Sequence, residues 1–126
     1  MEKDLKPDIL FEIIDYSNTP IVLSAPTWKA KAGNDGPGEH PEIRDYLEDV
    51  RTTVEKPHLV FQSTHDSRCR LFYRLSAGRG VFAGKHLVVV VKYVVERGGE
   101  RGYISTVYLS RTVYARGEKL WSRREI

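Results

Sequence analysis

The feature that most constrains this chain is the stretch Leu87 to Leu109, LVVVVKYVVERGGERGYISTVYL. Four consecutive valines declare a buried strand, yet Lys92 interrupts the run and the return strand carries Ser105, Thr106 and Tyr108. Strand side chains alternate, so Leu87, Val89, Val91, Tyr93 and Val95 share one face, and Val88, Val90, Lys92 and Val94 the other. If the hairpin closes around ERGGERG with Val95 opposite Tyr103, Lys92 meets Thr106 and lies close to Tyr108. A slip of one residue would undo that pairing.

The preceding segments supply the rest of a fold. ILFEII (Ile9 to Ile14) and IVLS (Ile21 to Ser24) flank the turn cluster DYSNTP and read as a hairpin. Pro26 to His40 is rich in Gly and Pro, which allows only a short helical turn near Thr27, Trp28 and Ala32 before a long loop. From Pro41 the period becomes helical: Ile43, Tyr46, Leu47, Val50 and Val54 form one apolar stripe, Pro41 suits the first helical position, and Pro57 ends the element. Four strand-like segments follow, His58 to Thr64, Cys69 to Leu75, His86 to Val95 and Tyr103 to Ser110. The expected fold is α+β, with an N-terminal hairpin and one or two helices packed on one face of a four-stranded antiparallel sheet.

CRLFYRL alternates as well, with Cys69, Leu71, Tyr73 and Leu75 on one side and Arg70, Phe72 and Arg74 on the other. If the helix over 41–56 covers the more apolar set, the opposite face carries Arg70, Phe72, Arg74, Lys92, Thr106 and Tyr108. A basic, hydroxyl-bearing face with an aromatic ring suits a phosphodiester and its base. Antiparallel sheets also often keep one wet face, for which Lys, Arg, Thr and Tyr are ordinary residues.

Composition narrows the classes. At 126 residues, 40% hydrophobic and 29% charged, the chain reads as one globular domain over 1–126, with residues 1–8 a loose lead-in. The net charge of +3 permits a nucleic-acid partner, and the basic residues concentrate in the second half. Cys69 is the only cysteine, which excludes an internal disulfide and suits a reducing compartment. No apolar signal core or membrane-length run appears, so the expected location is cytoplasmic, with no membrane partner. The four histidines, His40, His58, His65 and His86, lack metal-ligand spacing, and no metal or other cofactor is expected. The glycines around Gly80 to Lys85 lack the full phosphate-loop pattern.

Taken in order, HPEIRDYLEDVRTTVEKPHLV, RLFYR, KHLVVVVKYV, GYISTVYLSR and GEKLW resemble the phage and bacterial domains grouped as barnase, EndoU, colicin and RelE-like (PBECR/BECR) nucleases, over about residues 21–121. The resemblance implies a metal-independent ribonuclease, often the toxin of a toxin-antitoxin or phage system, with RNA and an antitoxin protein as partners; the oligomeric state stays open. Trp28, His40, Arg74, Lys92, Thr106, Tyr108 and Trp121 match family positions. Where the family commonly has a histidine shortly after the tryptophan, this chain has Lys29 and Lys31, and GNDGPGE looks like an insertion. The expected catalytic set is therefore His40 or Lys31 as acid/base, Arg74 and Lys92 as charge stabilisers, and Thr106 and Tyr108 as phosphate donors. Arg70, Phe72, Trp28, Arg111 and Trp121 complete the expected RNA-binding surface. The alternative is a catalytically idle module of the same fold that binds RNA, nucleotide or protein.

Overall fold

The computed structural model describes residues 8–33 and 40–123; all but the last residue of the expected lead-in and most of the GNDGPGE insertion lie outside the described residues. Strands β1 (Ile9–Ile14) and β2 (Pro20–Ser24) form the expected N-terminal hairpin. Its turn is organised by Asp15, whose carboxylate accepts from the Ser17 and Thr19 N–H groups at 2.8 and 3.0 Å, with Asn18 in the left-handed region at φ 68°. Asx-type bonding of this kind is what the side chain of a turn aspartate offers.

Ser24 ends β2 and caps helix α1 (Ala25–Ala32): the Thr27 N–H donates to its Oγ at 3.2 Å, and Pro26 occupies the first turn, where its missing N–H costs nothing. The helix expected over 41–56 is two elements, a 3-10 segment at Pro41–Tyr46 and helix α2 (Leu47–Glu55), ending at Lys56 before Pro57. Four residues of the apolar stripe, Ile43, Tyr46, Val50 and Val54, are buried, and the fifth, Leu47, is half-buried against the same core.

The remaining strands are β3 (Leu59–Gln62), β4 (Cys69–Arg74), β5 (His86–Glu96), β6 (Gly99–Ser110) and β7 (Lys119–Ser122). The α+β class stands, but the four-stranded antiparallel sheet does not. All seven strands join one mixed sheet in the order β1-β2-β6-β5-β4-β3-β7. The N-terminal hairpin enters it through a parallel pairing of β2 with β6, Ile21 opposite Gly102 and Val22 opposite Tyr103. Gly102 permits that approach, because a Cβ there would stand 2.5 Å from Ile21 Cδ1 and 2.8 Å from Val91 Cγ1. At the far edge, β7 pairs with β3 after residues 111–118 have crossed the sheet.

The β5–β6 register also differs from the expectation. The loop is the two residues Arg97 and Gly98, so Val95 faces Glu100 and Lys92 faces Tyr103 rather than Thr106. A bulge then leaves Ser105 unpaired between Val91–Ile104 and Val90–Thr106. The extra residue restores the phase, so Thr106 and Tyr108 still share a face with Val88, Val90 and Lys92.

The helices cover the other face. There Val50 and Val54 of α2 join Phe72, Leu87, Val89, Val91, Ile104 and Val107 in the main core. The sheet curls around this core until the β1–β2 turn, next to one edge, reaches β4 and β7 near the other. Tyr16 of that turn lies 5.6 Å from the Phe72 ring and 5.7 Å from the Trp121 ring. Right-handed twist accumulated over seven strands makes such curling natural.

Candidate functional site

The curl disposes of half the expected site. β4 presents Cys69, Leu71 and Tyr73 to the face away from the helices and turns Arg70, Phe72 and Arg74 toward them, the reverse of the expected assignment. Phe72 is fully buried in the main core. Arg70 stacks its guanidinium 4.1 Å over the Tyr93 ring and donates to the Tyr16 hydroxyl at 3.0 Å. Tyr93 in turn donates to the buried Asp15 carboxylate, and burial, with that bond, pushes its phenol far above the ordinary value. Arg74 donates to the Lys56 carbonyl at 2.7 Å, satisfying the C-terminal end of α2. Trp28 packs against the main core, and Trp121 meets Tyr16. These residues close the fold; Arg111 is exposed where the β6–β7 crossing begins.

The second face is not an open wet surface either. Leu59, Phe61, Tyr73 and Val88 form a second small core, and Val113 of the crossing packs on it. The Tyr114 N–H donates to the Tyr73 hydroxyl at 3.1 Å, which anchors the crossing above the sheet. Further along, Gly117 lies so close to Gln62 that a Cβ would fall 1.8 Å from its carbonyl oxygen, and the Gln62 N–H donates to Glu118 at 2.8 Å.

Between the crossing and the β3–β4 hairpin lies a groove of about 500 Å3. Its floor is apolar, from Phe61, Leu71 and Val90, and Thr106 and Tyr108 stand along it. The crossing contributes Tyr114 and Arg116, and the hairpin contributes His65 and Asp66. Lys92 belongs to the same face, paired with Cys69, which also lines the groove. The Asp66 carboxyl is held below the usual carboxylate range by hydrogen bonds from Arg68, and the nearby Lys92 charge adds to that. Burial pushes the Cys69 thiol upward, so it is a poor nucleophile.

The hairpin that carries His65 is held by many small bonds. Gln62 Nε2 donates to the carbonyls of Ser67 and Cys69 at 3.1 and 3.0 Å, and Ser63 Oγ accepts from the N–H groups of His65 and Asp66 at 3.0 and 3.2 Å. The imidazole itself makes no hydrogen bond or ion pair among the described residues. His58 and His86 differ, since each uses Nδ1 to accept a backbone N–H, from Leu75 at 2.8 Å and Ser76 at 3.0 Å.

His40 does not line the groove but lies beside it, against the ring of Tyr108. Its N–H donates to the Lys31 carbonyl at 2.6 Å, which ties it to the last turn of α1. Its ring centroid lies 5.8 Å from that of Tyr108, and its Nδ1 is 3.4 Å from Glu42 Oε2. Burial raises the Tyr108 phenol, keeping it protonated as a donor at neutral pH. Neither the Tyr108 nor the Thr106 hydroxyl has a hydrogen-bond partner among the described residues.

Of the expected residues, Lys92, Thr106, Tyr108 and His40 meet on or beside this groove, Lys31 adjoins it through His40, and Arg74, Arg70, Phe72, Trp28 and Trp121 do not. His65, Tyr114 and Arg116 were missed as site residues. The signal for Tyr114 and Arg116 lay in an eight-residue link between a strand and the short KLWS segment, which has to cross the sheet somewhere; His65 sits in the HDSR turn of the β3–β4 hairpin, where nothing in the sequence marked it. Among the described residues no His, Cys, Asp and Glu cluster could hold a metal ion, and no helix is long and apolar enough to cross a membrane. No family model, curated protein or solved structure matches the chain.

Proposed function

We propose that the chain is a metal-independent endoribonuclease of the barnase–EndoU–colicin–RelE type, with the second-face groove as its active site, and that it serves as the toxin of a toxin-antitoxin or phage system. The observation that carries the reading is a groove lined by His65, Arg116 and the hydroxyls of Thr106 and Tyr108, which have no hydrogen-bond partner among the described residues, with His40 against Tyr108 and Lys92 on the same face beside Cys69. Much of the other basic charge of the second half is already engaged: Arg68 with Asp66, Arg79 with Asp49, Arg101 with Glu12. Arg116 has no hydrogen bond or ion pair among the described residues.

In the proposed reaction His40 takes the proton of a ribose 2′-hydroxyl, with Glu42 holding its Nδ1 so that Nε2 faces the substrate. The 2′-oxygen bonds to phosphorus, the P–O5′ bond breaks, and His65 returns a proton to the leaving 5′-oxygen. Lys92 and Arg116 stabilise the charge on the phosphorane, and Thr106 and Tyr108 donate to its oxygens. The products are a 2′,3′-cyclic phosphate and a 5′-hydroxyl.

The test is incubation with total RNA in EDTA, followed by analysis of the new ends. Cleavage giving cyclic phosphate ends that slows on Lys92→Ala supports the reading, and intact RNA overturns it. Two observations favour the idle binding module instead: Lys31 stands where the family commonly has histidine, and Arg74 is spent on the end of α2. Salt-sensitive RNA binding without cleavage would select that reading.

A further inference from the structure

The floor of the groove asks for something that a phosphate site alone does not need. A site for a bare phosphodiester requires cations and donors, whereas here Phe61, Leu71 and Val90 form an apolar floor flanked by the rings of Tyr108 and Tyr114. Tyr114 is 53% exposed although its backbone is pinned to Tyr73, so its ring is presented while its place in the chain is fixed. Polar groups share the lining with that apolar set: Thr106, paired with Val90, and Tyr108 on β6, His65 and Asp66 on the hairpin, and Arg116 on the crossing. A space of about 500 Å3 falls within the roughly 300–1,000 Å3 of small-molecule sites.

We infer that the groove is a nucleobase pocket, which takes one unpaired base of the RNA against Leu71 and Val90 between Tyr108 and Tyr114, with its phosphate toward Arg116 and Lys92. The inference rests on the ribonuclease reading for the identity of the polymer, but the pocket itself is a claim about binding. Both faces of a base are apolar and aromatic, which the floor and the rings match, and its edge can bond to the Thr106 and Tyr108 hydroxyls, which have no partner among the described residues. A base held in a duplex cannot enter a site walled by the crossing on one side and the hairpin on the other. The reading therefore restricts the substrate to single-stranded or looped RNA.

The test is calorimetric titration of the intact protein, in EDTA, with nucleoside 3′-monophosphates and with ribose 5-phosphate. The mononucleotides are expected to bind at least about tenfold more tightly than the sugar phosphate. Tyr114→Ala should weaken them about 5- to 150-fold, the range that a stacked aromatic ring contributes, with little effect on ribose 5-phosphate. Val90→Phe, which fills the floor from a half-buried position, should abolish the difference. Equal affinity for the two ligands, or mononucleotide affinity unchanged in both variants, overturns the pocket. A protein that binds mononucleotides in this way but leaves RNA intact supports the pocket and removes the nuclease. One that cuts hairpin stems as readily as loops removes the pocket and leaves the nuclease.

Discussion

The two faces of the sheet use the same side chains to opposite ends. On the helix face Arg70, Tyr16, Tyr93 and Asp15 form a chain of contacts in which each polar group has a partner, and the phenol of Tyr93 is driven far up its scale. In the groove, Arg116, His65, Thr106 and Tyr108 have none among the described residues. Arginine beside tyrosine therefore identifies a site only when the surrounding structure has left the pair unsatisfied. A buried polar group without a partner costs roughly 1–3 kcal/mol, so a fold keeps open donors where solvent, or a ligand, can reach them.

The largest effect that can break this contrast is catalytic. His40→Ala and His65→Ala should each slow RNA cleavage roughly 100- to 10,000-fold, the usual contribution of a general acid or base. Cleavage rates in EDTA at neutral pH measure it. His58→Ala and His86→Ala, which remove imidazole acceptors of the Leu75 and Ser76 N–H groups elsewhere, should leave the turnover of folded protein within a few-fold of the parent. If His65→Ala cleaves like the parent, the imidazole is a surface residue and the groove has lost half of its chemistry.

Next in size is the position of the crossing. Gly117→Ala introduces a Cβ that cannot coexist with the Gln62 carbonyl at 1.8 Å. Overpacking of this kind costs about 1–3 kcal/mol, and here the strain falls on the segment that carries Arg116. Thermal melting should register the loss, and RNA affinity should fall with it. Unchanged affinity in a destabilised variant would mean that Arg116 contributes nothing to binding.

How much of this was legible follows from the range of the contacts involved. The β1–β2 hairpin, the buried stripe of α2 and the β4 and β5 strands are written in local periodicity, and Ile43, Tyr46, Val50 and Val54 are buried as their spacing requires. The parallel β2–β6 pairing is not local, and nothing in the IVLS segment states which strand it will meet. β7 is four residues long with no fully buried side chain, so its sequence carries little strand signal. The reversal of β4 came from ranking its two faces by polarity. Cys69, Leu71 and Tyr73 look like the core set, but Tyr73 is covered by the crossing and Cys69 and Leu71 line the groove beside it, while Arg70 is admitted to the helix side by Tyr16 and Tyr93. Lys92 and Thr106 reached the same face in spite of a wrong register, because the Ser105 bulge returned the strand to phase.

The satisfied face makes its own prediction, of intermediate size. Tyr93→Phe removes the donor to the Asp15 carboxylate and should cost about 1–3 kcal/mol of stability at neutral pH, with cleavage by the folded protein unchanged. The sign of its pH dependence is fixed by the direction of the shift. The folded phenol titrates above its ordinary value of 10.0, so its contribution is complete below that pH and is lost as the solution becomes strongly alkaline. On the alkaline side the gap in stability between parent and variant should therefore begin to narrow only above about pH 10. Narrowing near neutrality would mean that another group controls the seam.

The smallest expected effect separates the groove from the family-based site most sharply. By resemblance Arg74 is a charge stabiliser, and its loss would cost orders of magnitude in rate. Here its guanidinium donates to the Lys56 carbonyl, on the face of β4 turned toward the helices. Arg74→Ala should therefore cost at most about 1 kcal/mol of stability and change cleavage no more than about twofold, whereas Arg116→Ala should slow it at least tenfold. The two variants remove the same charge, so overall electrostatic attraction for RNA falls equally and any difference reports position alone. If Arg74→Ala is instead the more damaging, the catalytic centre lies on the helix side of β4, and the groove on the second face serves some other ligand.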